Sequence, residues 1–518
     1  MLALATPPVD FYVAAFVGQA LFAYVLFDDD ASPPRTRWAR GSAGALRGLV
    51  FGTAVNVLVL RFVPSTITRF TDLNVLLGLL ALVLLGAFQG LRWMVTGWIA
   101  LQLSARRVPR FLAFGIAVWL GTFVPGVFSW TVASGLSPWT SLVQLADVVG
   151  ERGVSALIAI SCALFAEAFR ALRAGERRAS LQYTLISIAI VASMCVAGAL
   201  RIRSVDAARA SARKARVALV QPSTEARMRW DPDQADAILR RLTRITIVAE
   251  QRGTDLVVWP EAAFPYPMGA SARSDLSGNF AVLQAGVRGP VLTGLLMRAP
   301  RDAYGEAMHN SAALVHNGKV DPAYHKIHLL AFGEQVPLAS TFPFLRRVFV
   351  RGTGMVPGDH QVAITTGPMR IAVLNCFEDT LPEAGLEASG VDPNLLVNVT
   401  NDAWFVETRE SELHARLAAL RAIELRKDFV RAVNLGVTSW IEATGRTHAR
   451  YDLGVAGSLP TTPALLEGKT IFARFGDCSG ALLLGLLAGA TWLGTKRKRR
   501  ETRGPHADSD SKQPQITE

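Results

Sequence analysis

Apolar residues fall along this chain in two regimes. The first 200 residues hold six long apolar runs, at about 9–27, 43–62, 73–103, 111–129, 153–170 and 181–200. Each is near or above the length a helix needs to cross a bilayer. The third is long enough for a tilted helix and reads as one. A polar, Ala/Arg-rich stretch, 201–214, reads as a connector. From about 215 to 475 the pattern changes to short apolar runs that end on polar residues. Such runs are Arg216–Gln221, Asp255–Glu261, Val291–Gly294, Arg370–Cys376 and Asn394–Val399. Helical periodicity separates some of them, at 232–252 and 411–427. Continuous β-branched runs of this kind predict a sheet covered on both faces, hence an α/β domain whose strand ends carry the chemistry. A last apolar run, 476–495, predicts a final membrane helix, and 496–518 reads as a basic, disordered tail.

Charge gives this layout an orientation. Arg35, Arg37, Arg40 and Arg47 lie between the first two runs, Arg106, Arg107 and Arg110 follow the third, and Arg170, Arg173, Arg177 and Arg178 follow the fifth. Loops rich in Arg and Lys stay on the cytoplasmic side, so the chain is expected to leave the sixth span outside the cytoplasm. Lys496, Arg497, Lys498, Arg499 and Arg500 close the last run as a cytoplasmic flank. Both ends therefore put the 215–475 domain on the outer side. A chain of 518 residues with half its residues hydrophobic and a mean hydropathy of +0.28 fits a membrane protein. The net charge of +12 raises the question of nucleic acid. The basic residues sit beside apolar spans, where they set topology, and no nucleic-acid motif accompanies them.

Three residues stand out by position. Glu261 ends an apolar strand after Pro260, Cys376 ends another, and Lys326 lies between His325 and His328. A carboxylate can take a thiol proton, a thiolate can attack a carbonyl, and an ammonium can stabilise the oxyanion. Singly, each has a plain structural alternative: a solvated loop Glu, a small core Cys, a surface Lys. Cys162 and Cys195 lie in spans and read as packing residues. Gly476-Asp477-Cys478-Ser479-Gly480 superficially spells a nucleophile elbow, but it precedes a span rather than following a core strand. A dyad of Cys376 with His325, His328 or His414 stays open, because such partners meet only in space. No metal-ligand spacing and no Gly-rich phosphate loop is present.

Longer words bring the three together. Trp259-Pro260-Glu261-Ala262-Ala263, then Lys326 through Phe332-Gly333-Glu334 to Val336-Pro337, then Asn375-Cys376-Phe377-Glu378-Asp379 resemble the nitrilase superfamily and, more narrowly, the apolipoprotein N-acyltransferase family. Thr400-Asn401-Asp402-Ala403-Trp404-Phe405, His414, Arg421–Glu424, Arg431–Thr438 and Phe472–Asp477 extend the likeness over the whole 215–475 region. Phe377 departs from it, standing where the family usually has Tyr. So does the 111–129 run, which lacks a Glu and an Arg common in relatives. The resemblance implies an αββα four-layer sandwich on a membrane bundle. It implies Glu261 as general base, Lys326 as oxyanion stabiliser and Cys376 as nucleophile, with Glu334 and Glu378 as supporting carboxylates. Trp230, Trp404 and Phe405 would line the substrate pocket. The implied reaction moves an acyl chain from a phospholipid, through a Cys376 thioester, to the diacylglyceryl-cysteine of an apolipoprotein in the bacterial inner membrane, with no cofactor. A membrane-tethered amidase, or an inactive lipoprotein-binding homologue, are the alternatives.

Overall fold

The computed structural model describes residues 2–7, 9–28, 37–70, 73–229, 231–302, 305–337, 339, 341–343, 354–405, 410–451 and 454–501. The first two hundred residues fold as helices: Val13–Leu26, Arg37–Val59, Val75–Ala105, Arg110–Gly121, Ala146–Arg173 and Arg177–Ser211, with shorter turns between them. Four of these, taking the second from Trp38, are long and apolar enough to cross a membrane. Val13–Leu26, Arg110–Gly121 and the apolar part of the last helix, Cys478–Thr491, are shorter.

Burial ranks the helices. In Ala146–Arg173, 72% of the apolar window is covered by protein, against 17% in Arg177–Ser211. The first is therefore the central post, packed against most of the other membrane helices. The second turns Leu181, Leu185, Ile188, Val196 and Leu200 outward, an apolar face suited to lipid. Small residues let two neighbours approach: Gly44 and Gly48 of one helix meet Gly97 and the Trp93 backbone of the next, where any Cβ would collide. Two sequence boundaries shift. The run at 111–129 is helical only to Gly121, because Pro125 and Gly126 follow within a turn or so, and 122–131 is irregular. Residues 201–211, read as a connector, continue the preceding helix.

The remaining chain forms two sheets. The strands are β1 (Val217–Gln221), β2 (Leu256–Val258), β3 (Met268–Gly269), β4 (Val291–Asp302), β5 (Gly305–His316), β6 (Lys319–Val320), β7 (Tyr324–His325), β8 (Ile364–Thr366), β9 (Met369–Asn375), β10 (Leu395–Thr400), β11 (Phe429–Val433), β12 (Thr438–Ile441), β13 (Thr447–Tyr451) and β14 (Gly457–Thr461). One sheet runs β14-β1-β2-β4-β5-β6, with β3 beside β4 and β7 beside β5; the other runs β13-β12-β11-β10-β9-β8. In each, the central pairs β1–β2 and β2–β4, or β9–β10 and β10–β11, are parallel.

Side-chain alternation explains the layers. Val217, Leu219, Leu256 and Val258 point to one side of the first sheet and meet Ile371, Val373, Val397 and Val430 of the second. Ala218, Val220, Val257 and Trp259 point the other way, onto the helix Ala235–Gln251. Ala372, Leu374, Leu396 and Phe429 do the same under the helices Pro382–Gly390 and Glu410–Leu425. Each of these central strands is thus apolar on both faces, and the outcome is the nitrilase-type αββα sandwich. Leu413, Leu417, Leu420 and Ile423 of that last helix share a continuous core with the membrane helices, so the sandwich is seated on the bundle.

Candidate active site

Glu261, Lys326 and Cys376 arrive at one point from three elements. Glu261 follows β2, Lys326 follows β7, and Cys376 follows β9. The turn after β2 closes tightly: Ala262 has φ +46°, and Gly294 on β4 leaves the room that a Cβ would take from Glu261. Cys376 has φ +55°, a left-handed conformation that a side chain disfavours. It is held by the turn Cys376–Thr380, in which the Glu378 carboxylate accepts from the Asn375 N–H at 2.7 Å. Backbone strain of this kind clusters at functional sites.

The side chains form one network. The Lys326 Nζ lies 2.7 Å from a Glu334 oxygen and 3.6 Å from Glu261 Oε1. Cys376 lies beside the Glu261 carboxylate, and each perturbs the proton affinity of the other. Asn310, from the middle of β5, donates to both Glu261 (2.6 Å) and Glu334 (2.7 Å) and accepts from Asn375 (3.0 Å). Glu378 takes four hydrogen bonds, from the Tyr324 hydroxyl and from the backbone N–H groups of Ile327, His328 and Asn375, at 2.7–3.0 Å. This carboxylate ties the segment carrying Lys326 to the strand end carrying Cys376.

Electrostatics set the resting protonation states. Burial alone would lower the Lys326 ammonium, but the carboxylates around it, Glu334 ahead of Glu261, offset it, so Lys326 stays charged. Burial raises Glu261; Lys326 pulls it back and Glu334 adds to the rise. Burial and the Glu261 charge raise the Cys376 thiol well above its ordinary value. Cys376 therefore rests as a neutral thiol rather than a thiolate.

A second buried cluster lies behind Cys376. His414 bridges Asp379 (2.8 Å) and Asp402 (3.0 Å), and Arg431 holds the other Asp379 oxygen at 3.0 Å. Burial opposes charge on His414, but the two carboxylates outweigh it and raise it well above the ordinary value. Asp402, Glu410 and His414 offer ligand atoms within 4.8 Å of one another. With both ring nitrogens donating to carboxylates, His414 serves as a charged bridge rather than a metal ligand. Phe405 stacks edge-on with Phe62 of the bundle at 5.6 Å. Trp404 precedes it, partly buried in the short turn Asp402–Phe405. Trp230 lies outside the described residues.

The rival sites are placed elsewhere. Cys478 is exposed at the start of the last helix. His325 bonds Ser311 (2.7 Å), His328 bonds Glu387 (3.0 Å), and His414 is committed as above. Burial and the neighbouring His309 lower His325 to about 4, which leaves it neutral.

Comparison with known proteins agrees with this architecture. Residues 216–457 match the carbon–nitrogen hydrolase family, and residues 1–164 match the apolipoprotein N-acyltransferase N-terminal domain. An amidase of the nitrilase superfamily from Nesterenkonia aligns with 51% of this chain and 94% of its own, at 15% identity and a TM-score of 0.36. The two family matches define the class, a carbon–nitrogen hydrolase domain carried on a membrane bundle. Apolipoprotein N-acyltransferase of Brucella melitensis biotype 1 is 30% identical over 483 residues, covering 88% of this chain and 86% of the relative. That of Geobacter metallireducens is 29% identical over 463 residues, covering 85% and 86%. The chain belongs to the apolipoprotein N-acyltransferase family.

Proposed function

We propose that this protein transfers a fatty acyl chain from a phospholipid to the N-terminal amine of a diacylglyceryl-cysteine apolipoprotein, using Glu261, Lys326 and Cys376. The observation that carries the reading is the convergence of a thiol, its carboxylate partner and a buried ammonium on a sandwich seated on membrane helices. In the first half-reaction Glu261 takes the Cys376 proton as the sulfur attacks the ester carbonyl. The developing oxyanion is met by the Lys326 ammonium. The C–O bond then breaks, and the leaving lysophospholipid oxygen takes the proton back from Glu261. In the second half-reaction the acceptor amine attacks the thioester and gives its proton to Glu261, the C–S bond breaks, and the sulfur is reprotonated. Every proton is accounted for by one carboxyl group, and the chain's own residues suffice for the steps.

Asn310 and Glu334 position Glu261 and Lys326, and Glu378 fixes the distance between the two loops. Trp404 and Phe405 lie at the seam with the bundle, where an acyl chain would enter from lipid. The Arg-rich loops favour an orientation with the catalytic domain outside the cytoplasm of a bacterial inner membrane.

The test is acyl loading. Purified protein given a phospholipid with a tagged acyl chain, and no acceptor, should carry the tag in a form that neutral hydroxylamine removes. A diacylglyceryl-cysteine peptide should then discharge it as an amide. Cys376→Ala should carry no tag, whereas Cys478→Ala should load as the parent does. Release only as free fatty acid would make the protein a hydrolase instead, and absence of loading by folded protein would leave a binding homologue.

A further inference from the structure

Arg92 sits mid-way along the membrane helix Val75–Ala105, where a cation is costly and needs a partner. Its hydrogen bonds all go to neutral oxygens. Nε donates to the Val124 carbonyl at 2.8 Å, while the two outer nitrogens make long contacts, 3.4 Å to the Trp130 carbonyl and 3.3 Å to Ser129 Oγ. Among the described residues no carboxylate forms an ion pair with it. The guanidinium forms part of the wall of two cavities. One is a small space inside the bundle; the other, larger, lies at the seam with the catalytic domain.

The seam cavity reaches the chemistry. Its far wall includes His328, two residues after Lys326, and Leu381–Glu383, just past the turn that begins at Cys376. Its near wall is the irregular stretch 122–131, including the Thr122, Ser129 and Thr131 side chains. Two carboxylates, Glu151 and Glu383, also line it, and each already has an arginine. Glu151 pairs with Arg421 at 2.9 Å and Glu383 with Arg152. Behind the wall Arg152 also holds Asp477, and Arg421 also holds Glu424. Burial, partly countered by Arg421 and reinforced by Glu151, pushes Glu424 up to about 8, so it adds little negative charge at neutral pH. Arg92 is thus the lining cation whose own charge is not taken up by these pairs.

From this placement we infer that Arg92 binds the phosphodiester of the acyl-donor lipid, with Ser129 as a second donor. A guanidinium fork matches two phosphate oxygens, and the long outer contacts leave N–H groups to turn toward such a ligand. A phosphate held there would set the glycerol ester of the same lipid against the loops bearing Lys326 and Cys376. The 122–131 stretch, opened by Pro125 and Gly126, turns its Val124 and Trp130 carbonyls toward Arg92 and brings Ser129 to the cavity wall. The inference rests on the acyl-transfer reading above and adds the residue by which a phospholipid is told from an uncharged acylglycerol.

The experiment compares two donors carrying the same acyl chains, phosphatidylglycerol and diacylglycerol, presented to the full-length protein in micelles. The readout is the rate of thioester loading on Cys376 as a function of donor concentration. The parent protein should favour phosphatidylglycerol, and Arg92→Gln should shrink that preference about 10- to 100-fold, the worth of a hydrogen bond to a charged group, mainly through KM. Arg92→Lys, which keeps the charge but not the fork, should retain an intermediate preference. A parent that shows no preference, or an Arg92→Gln protein that slows equally on both donors or on neither, would overturn the assignment. So would inhibition of loading by inorganic phosphate at lower concentration than by a lysophospholipid, since the site would then serve free phosphate. A parent protein that loads from no acyl donor would instead sink the acyl-transfer reading itself.

Discussion

Glu261 carries two duties that pull its proton affinity in opposite directions. As a base it must be ionised, yet burial raises it, with Lys326 countering and Glu334 adding to the rise. A base whose pKa is raised loses activity sooner as pH falls. The acid limb of kcat/KM for loading should therefore have its midpoint above the ordinary carboxylate value of 4.5. Lys326, held charged, should contribute no alkaline limb in the neutral range. A pH–rate profile of the loading step checks both. Glu261→Gln should lower the rate by about 10²- to 10⁴-fold. A midpoint at or below the ordinary value would mean that Glu261 is solvated in the working enzyme. At this scale Glu261 and Cys376 are legible as the ends of apolar runs, whereas Lys326, set between two His, joins them only through the longer words that carry the family resemblance. Asn310 is not legible. It lies in the polar run His309-Asn310-Ser311 of β5, and such a run looks the same in sequence whether its amide orders two carboxylates or meets a water.

Among the elements, the helix Glu410–Leu425 decides how sandwich and bundle join. Its Arg421 is fully buried between Glu424 (2.8 Å) and Glu151 of the central membrane helix (2.9 Å). A short way along the chain, Arg426 reaches Asp147 (2.9 Å) and Gln144 (2.7 Å). Removing one member of a buried ionic group strands the others, which costs about 3–5 kcal/mol. Arg421→Ala should accordingly lower the unfolding temperature of the detergent-solubilised protein by several degrees, while the distant exposed Arg252→Ala should not. A thermal scan showing equal stability would remove the seam from the list of what holds the molecule together. These charged positions also explain which elements the pattern concealed. Strand β11 reads Phe-Val-Arg-Ala-Val, and its central Arg431 is buried with 0% exposure. A charge in the middle breaks the apolar signature of a strand, and only its pairing with Asp379 makes it a core residue. Strand β4 is half legible for another reason: from Arg298 on it reads Arg-Ala-Pro-Arg-Asp, which breaks the apolar rhythm that Val291–Gly294 begins.

For the whole molecule, the distribution of basic residues leads to a testable orientation. A reporter fused after Ala212 should be active only outside the cytoplasm, and one fused after Arg500 only inside. A cytoplasmic signal from the first fusion would put the active site on the wrong side for its acceptor. Periodicity alone yields the apolar segments and an α/β domain after them, and the αββα sandwich comes only with the family resemblance; the boundaries stay hidden, because helix signals run through 201–211 without a break in Ala and Arg, and Pro125 cuts a run that hydropathy alone continues. Gly150 adds a last consequence. At φ +68° it bends the central membrane helix under Phe472, in a space that a Cβ would fill, and the next two residues are Glu151 and Arg152. The bend hands two charged anchors to the catalytic domain from inside the bundle, so the two units have no tether between them that can be cut. A fragment cloned from residue 212 onward should thus be recovered as aggregate rather than as a free-standing esterase, and the molecule is better pictured as a keystone arch than as an enzyme on a leash.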